Sequence, residues 1–175
     1  MPATHVVTMP QEALTRYEAN RRELFFGVPY ARFCAAFEAL LGRTDTSAIA
    51  SNVRLTPAEF RERLTSYVGP LDFSLFEKID HGAVLRGLGL GDAHATTYVF
   101  GNALIAAEMT RHDLRAGLYV PLRLLVRESA VDQVLVTYDL PSAFMAQFQS
   151  AEIDAVARSL EEKLQRLLDE TIRRI

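Results

Sequence analysis

Two histidines of this chain each adjoin an aspartate, Asp80-His81 in KIDHG and His112-Asp113 in MTRHD. A carboxylate beside an imidazole can fix its tautomer and raise its basicity, as general-base chemistry requires. Two more polar clusters follow apolar runs: Asn102 in VFGN, and Tyr138, Asp139 and Ser142 in TYDLPS. Neighbouring residues of a strand point to opposite faces, so Asp80 orients His81 only if the chain turns there, and capping outweighs catalysis as the reading of this pair. His112, flanked by Arg111 and Asp113, reads first as part of a solvated turn. Past the end of a helix it would favour the imidazolium, with Asp113 helping, and an Asp80–His112 contact is expected to tie the two segments together. His81 and His112 with Asp80 or Asp113 have acceptable ligand types for a metal, but their spacing is not diagnostic and no metal is expected. Tyr138 to Ser142 is most simply a strand end leading into a turn at Pro141. Cys34, between Phe33 and Phe37 with no basic neighbour nearer than Arg32, reads as an inert buried thiol. There is no Gly-rich phosphate loop, His-Glu-x-x-His, cysteine pair or Gly-x-Ser-x-Gly elbow.

The elements that must position these residues follow from hydrophobic periodicity. Residues 1–18 hold no firm period and are expected to form a weakly ordered arm before a single domain over 19–175. RRELFFGV predicts a strand ending before Pro29, and Phe33, Phe37, Leu40 and Leu41 form one stripe of a helix over about 29–41, with Gly42 as its stop. A polar connection follows. Thr56, Pro57 and Glu59 spell a capping box with proline at the first helical position, and Phe60, Leu64 and Val68 give that helix its apolar side. The period then changes to two. Strands are expected at about 72–79, with Phe73, Leu75 and Ile79 on one side, and at 94–100, 118–127 and 133–139. In the third of these Leu118, Val120, Leu122, Leu124 and Val126 share a face, while Pro121, lacking a donor, implies an edge strand or a bulge. ESAVDQ is expected to turn the chain into the last strand. Between the second and third lie a short helix from Ala103 to about Thr110 and a polar turn from Arg111 to Gly117. The final helix, from Ser150, carries Ile153, Val156, Ala157, Leu160, Leu164, Leu167 and Leu168 on one stripe, acidic residues early and Arg173-Arg174 last. Strands with one apolar face between helices with one apolar stripe make an α+β layer, a mostly antiparallel sheet backed by helices.

Composition narrows the function classes. With 175 residues, 49% hydrophobic and 23% charged, the chain has enough apolar mass for a core, and its net charge of −3 offers no global attraction to nucleic acid or an anionic membrane. A single cysteine fits a reducing compartment. No signal-like N-terminus and no uncharged apolar run of about 18 residues stands out. A cytoplasmic protein that binds neither nucleic acid nor membrane is expected.

IDH after one strand, FGN after the next, Met109 seven residues on, VPLRLLV and VTYDLP occur here in that order. In this the chain resembles the family catalogued as domain of unknown function 302, best over about Phe73 to Tyr138. The resemblance implies a compact α+β domain with a curved antiparallel sheet, similar to the TATA-binding-protein-like group, and brings no established chemistry. Two departures stand out: Ala103 where the family often has proline, and a longer connection from about Arg43 to Pro70. The expectation is a non-enzymatic module binding an apolar small molecule in a pocket between sheet and helices, with Asp80, His81, Asn102, His112 and Tyr138 orienting it and no cofactor. The alternatives are a hydrolase or isomerase with His81 or His112 as base, or a protein-interaction scaffold. Apolar edge strands and the long last helix suggest a homodimer.

Overall fold

Alternating apolar residues place the sheet, and the computed structural model describes residues 12–44, 46–51 and 55–175. The strands are β1 (Arg21–Phe26), β2 (Gly42–Arg43), β3 (Ser74–Asp80), β4 (Ala95–Gly101), β5 (Leu122–Ala130) and β6 (Gln133–Asp139). They form one six-stranded sheet in the order β1-β6-β5-β4-β3-β2. Every pairing is antiparallel except β2 with β3. The helices are α1 (Tyr30–Glu38), α2 (Thr46–Ser51), α3 (Pro57–Ser66), α4 (His81–Gly87), α5 (Ala103–Thr110), α6 (Pro141–Met145) and α7 (Ala151–Arg173), with 3-10 segments at Leu114–Tyr119 and Ala146–Phe148. The α+β arrangement, a mostly antiparallel sheet backed by helices, is therefore as expected.

The core lies between α1, α7 and one face of the sheet. Phe33 stacks with Phe37 along α1 at 6.2 Å, Phe37 meets Phe100 edge-on at 5.6 Å, and Phe100 meets Phe73 at 5.4 Å. Ile153, Ala157, Leu160, Leu164, Leu167 and Leu168 of α7 are all buried, each large aliphatic contributing about 1.5–3 kcal/mol. Ser150 caps that helix by accepting from Ile153 N–H. The capping box of α3 is complete: Thr56 Oγ1 accepts from Glu59 N–H, and Glu59 Oε2 accepts from Thr56 N–H at 2.8 Å. Cys34 is buried, and burial pushes its thiol pKa up, which disfavours the thiolate.

Three departures from the periodic reading have local causes. First, α1 stops at Glu38, short of Gly42, which instead opens β2. A Cβ on Gly42 would stand 1.9 Å from Tyr67 O, and one on Gly69 2.3 Å from Leu40 O. The two glycines are needed because two backbone segments cross there, a relation no periodicity records. Second, a bulge between Leu75 and Glu77 shifts the register of β3 on β4. Beyond it Lys78 and Asp80 pair with the buried Tyr98 and Thr96, whereas Ile79 pairs with Thr97 on the other face and is 42% exposed. Phe73, Leu75 and Ile79 therefore do not share one side. Third, the strand expected from residue 118 begins at Leu122. Asp113 Oδ1 accepts from Arg115 N–H and nucleates the 3-10 segment, which leaves Leu118 82% exposed. Pro121 marks no edge: β5 runs between β4 and β6, and the proline stands just ahead of the first paired residue, where a missing donor costs no ladder bond.

Both sheet edges carry charge: Arg21, Arg22 and Glu23 on β1, and, beyond the two residues of β3 that β2 covers, Glu77, Lys78 and Asp80. Such edges discourage strand addition, contrary to the apolar seam expected. Of the expected arm, residues 1–11 fall outside the described residues, and 12–20 are exposed and form neither helix nor strand.

Candidate functional site

On β4, β5 and β6 the residues that alternate with the core set face away from the helices. Val99 pairs with Arg123 across β4 and β5, and Arg21 pairs with Asp139 across β1 and β6. Arg123 reaches the end of that row because Leu125 pairs with Thr137 two residues on. At this end of the sheet a cavity of about 450 Å³ opens between the strand ends, the segment from Leu118 to Pro121, Phe144 of α6, and Tyr17 and Ala19 of the N-terminal stretch. Gly101 lets its wall close up: a Cβ there would lie 3.3 Å from Pro121 Cβ. The arm is held beside it by Leu140 N–H donating to Asn20 O at 2.8 Å.

The walls combine apolar and aromatic side chains with the polar ends of Tyr17, Tyr119, Arg123 and Asp139, and polar and apolar surface are nearly balanced. Tyr17 meets Tyr119 edge-on, ring centroids 5.6 Å apart, and Tyr119 stacks on Phe144 at 5.3 Å. The Tyr119 side chain raises the Tyr17 phenol above its ordinary pKa, through hydrogen bonding and then charge, while Arg123 acts in the opposite sense. Asp139 is engaged by Arg21, Oδ1 to Nε 3.2 Å. Arg123 has no carboxylate at ion-pair distance among the described residues. A second cavity, of about 490 Å³, continues past Leu118 and Tyr119 to Leu114, Phe148 and Thr15. Residues 13–19 thus form a common outer wall.

None of the five residues singled out by sequence lines the first cavity. Asp80 caps α4, its Oδ1 accepting from Ala83 N–H at 2.8 Å, and Arg86 stands 3.7 Å from its Oδ2. His81 Nε2 is 3.0 Å from Thr97 Oγ1, on the exposed start of α4. Asn102 caps α5, accepting from Leu104 N–H at 2.9 Å while its Nδ2 donates to Asp72 O at 3.0 Å. Since Asp80 pairs with Thr96 and Ser74 with Gly101, His81 and Asn102 stand at opposite ends of β3 and β4. His112 follows α5 in the open and adds to the influences that lower the Glu152 carboxyl pKa, behind backbone and Ser150 hydrogen bonds. Asp113 turns from it to a forked pairing with Arg115, Oδ2 to Nη2 2.6 Å, which holds the Asp113 carboxyl below its usual range. Tyr138 faces the helices, 5% exposed, and burial pushes its phenol pKa up. Among the described residues no group of three His, Cys, Asp or Glu is arranged to hold a metal.

Sequence reasoning passed over Tyr17, Tyr119 and Arg123, which belong to no motif. The one signal was period two: on β5 and β6, Arg123 and Asp139 fall on the face opposite the apolar set.

Comparison with known proteins gives a family, three relatives and a fold. The family described as domain of unknown function DUF302 matches residues 49–171. The "Fluoride-specific ion channel FluC 1" of Brucella suis biovar 1 is 26% identical over 134 residues, 77% of this chain and 52% of the relative. FluC 1 of Brucella abortus biovar 1 and FluC 2 of Brucella melitensis biotype 1 match at the same 26%, over 49% of their lengths. The chain spans about half the length of these curated relatives. The crystal structure of an uncharacterized conserved DUF302 protein from Bacillus stearothermophilus superposes with a TM-score of 0.61 at 12% identity, covering 86% of this chain and 97% of that one. Among the described residues no helix is long and apolar enough to cross a membrane.

Proposed function

We propose, from the premise that the chain belongs to the family of domain of unknown function DUF302, that it is a non-enzymatic module which binds a small, largely apolar molecule. The binding site is the cavity between the strand ends and Tyr17, and the observation that carries this is the convergence of Tyr17, Tyr119 and Arg123 on a hollow walled by Val99, Pro121 and Phe144. Of the residues expected from sequence, Tyr138 adjoins the wall residue Asp139 in the chain, and Asn102 follows Gly101, which packs against the wall residue Pro121; their part is to hold those walls. Asp80, His81 and His112 act by capping and solvation. The module works in the cytoplasm, in keeping with its lone cysteine. Its relatives carry the matching segment within proteins about twice as long, which supports a binding unit that can be joined to another activity.

The neutral fluorescent probe N-phenyl-1-naphthylamine tests this: its emission rises on binding to the full chain, and Val99→Trp, which fills the cavity, abolishes the rise. Emission that is unchanged by Val99→Trp, or absent in the parent chain, overturns the proposal. A histidine-based hydrolase or isomerase has less to rest on, because both histidines lie outside the cavity. An interaction scaffold draws on the exposure of Leu114 and Leu118, 85% and 82%. The expected homodimer would use the helix-free face, where Phe25 is exposed, and light scattering at micromolar concentration decides it against 19.6 kDa for the monomer.

A further inference from the structure

The ligand's chemical class follows from one arginine that no carboxylate pairs, and the inference rests on the proposed binding site. We propose that the cavity accepts an aromatic anion, its carboxylate or sulfonate held by Arg123 and its ring set against Tyr17 and Tyr119. Arg123 lines the cavity, yet among the described residues no carboxylate lies at ion-pair distance from it. Asp139, the acid that also lines the cavity, already holds Arg21 at 3.2 Å. Glu77, on the far side of Val99 in the same cross-strand row, is two strands from Arg123, about 9–10 Å at ordinary strand spacing. Arg21 and Arg123 against Asp139 leave one positive charge at the mouth, and a guanidinium fork is shaped for a planar or tetrahedral oxyanion. Arg123 is solvent-exposed, so its guanidinium is open to an anion that enters the cavity, a contact a neutral ligand cannot make.

The rest of the cavity suits a ring. Tyr17 and Tyr119 stand at 84° to one another, so a ring lying flat on one is met edge-on by the other, the two favoured aromatic geometries at once. Val99 and Pro121 supply the apolar floor, and about 450 Å³ accommodates two fused rings with a substituent.

Two probes that share one skeleton separate the charge from the ring. N-phenyl-1-naphthylamine is neutral, and 8-anilino-1-naphthalenesulfonate is the same skeleton with an anionic group. On the full chain in low salt the sulfonate is expected to bind about tenfold more tightly than the amine, the size of one charge-assisted contact, and the advantage shrinks as salt is raised. Arg123→Gln removes the advantage, lowering sulfonate affinity by about tenfold more than it changes the amine's; Arg123→Lys, with charge but no fork, falls between. Far-UV circular dichroism confirms that the variants fold, and Arg158→Gln on the exposed side of α7 keeps the advantage. If Val99→Trp blocks the amine but the sulfonate holds no advantage, or Arg123→Gln weakens both probes alike, the anion assignment is wrong while the binding site stands. If the amine fails to bind at all, the site itself is wrong.

Discussion

Tyr98 donates its hydroxyl hydrogen to Glu38 Oε1 at 2.7 Å, joining the middle of the sheet to α1 through a polar contact set in an aromatic core. Lys78 reaches the same carboxylate. Burial alone would raise the Glu38 pKa, but hydrogen bonds from Lys78 and Tyr98 prevail and hold it below the usual carboxylate range. A folded-state pKa below the unfolded one gives stability that is present above the unfolded value, about 4.3, and is lost as pH falls through the folded one. Glu38→Gln should therefore narrow its stability gap from the parent chain between pH 7 and pH 3, as read from urea midpoints. A constant gap would contradict this. Tyr98→Phe, which removes a fully buried donor, should cost about 1–2 kcal/mol at pH 7.

Gly42 and Gly69 mark a backbone crossing with no room for a side chain. Gly42→Ala should destabilise by about 3 kcal/mol or more, because the atom at 1.9 Å is a peptide oxygen that cannot swing aside. Gly27→Ala, with open space around the added carbon, should stay within about 0.5 kcal/mol. Equal effects from the two would refute the crossing as the cause.

Asp80 and His112 should separate cleanly. Asp80→Ala should cost about 1 kcal/mol through the lost cap of α4, and His112→Ala should shift stability by no more than about 0.5 kcal/mol. Naphthylamine binding should be unchanged in both. A double-mutant cycle showing coupling between them would restore the direct contact expected from sequence.

Tyr17 is 47% exposed, and its documented ring partner is Tyr119. Tyr17→Ala should thus weaken probe binding severalfold while the melting temperature stays within about 1–2 °C of the parent's. A large loss of stability would make the arm part of the core instead of the wall of a site.

How far the sequence could be read depends on the range of the interaction that decides each feature. The α3 capping box and the α7 stripe were legible because their partners lie within a few residues: Thr56 with Glu59, and Leu160 with Leu164. The hairpin of β5 and β6 and the apolar faces of both strands were legible for the same reason. Gly42 was misread since its constraint comes from Tyr67, distant in sequence. Ile79 was misread because one extra residue near Phe76 reverses every later position of β3, and no local pattern distinguishes a bulge from an odd charged residue on the core face. The polar clusters at strand ends were visible, and Asp80 and Asn102 proved to be caps, a duty that aspartate and asparagine signal as readily as chemistry. For Arg123 the only signal was the alternation that puts it on the open face of its strand, and an arginine there is ordinary until its neighbours are known.

The cavity takes its wall from positions 17, 19, 99, 118–123, 139 and 144, brought together only when β4, β5 and β6 have paired and the arm has returned to their ends. No fragment of the chain can carry it. On the proposed function, a ligand held there would have nothing comparable to recognise in the unfolded ensemble, and occupancy and folding would be linked equilibria: at a hundred times its dissociation constant such a molecule would deepen the native well by about 2.7 kcal/mol. That is a sizeable fraction of the roughly 5–15 kcal/mol typical of a domain, and under this proposal resistance to heat or protease would measure how much ligand surrounds the protein.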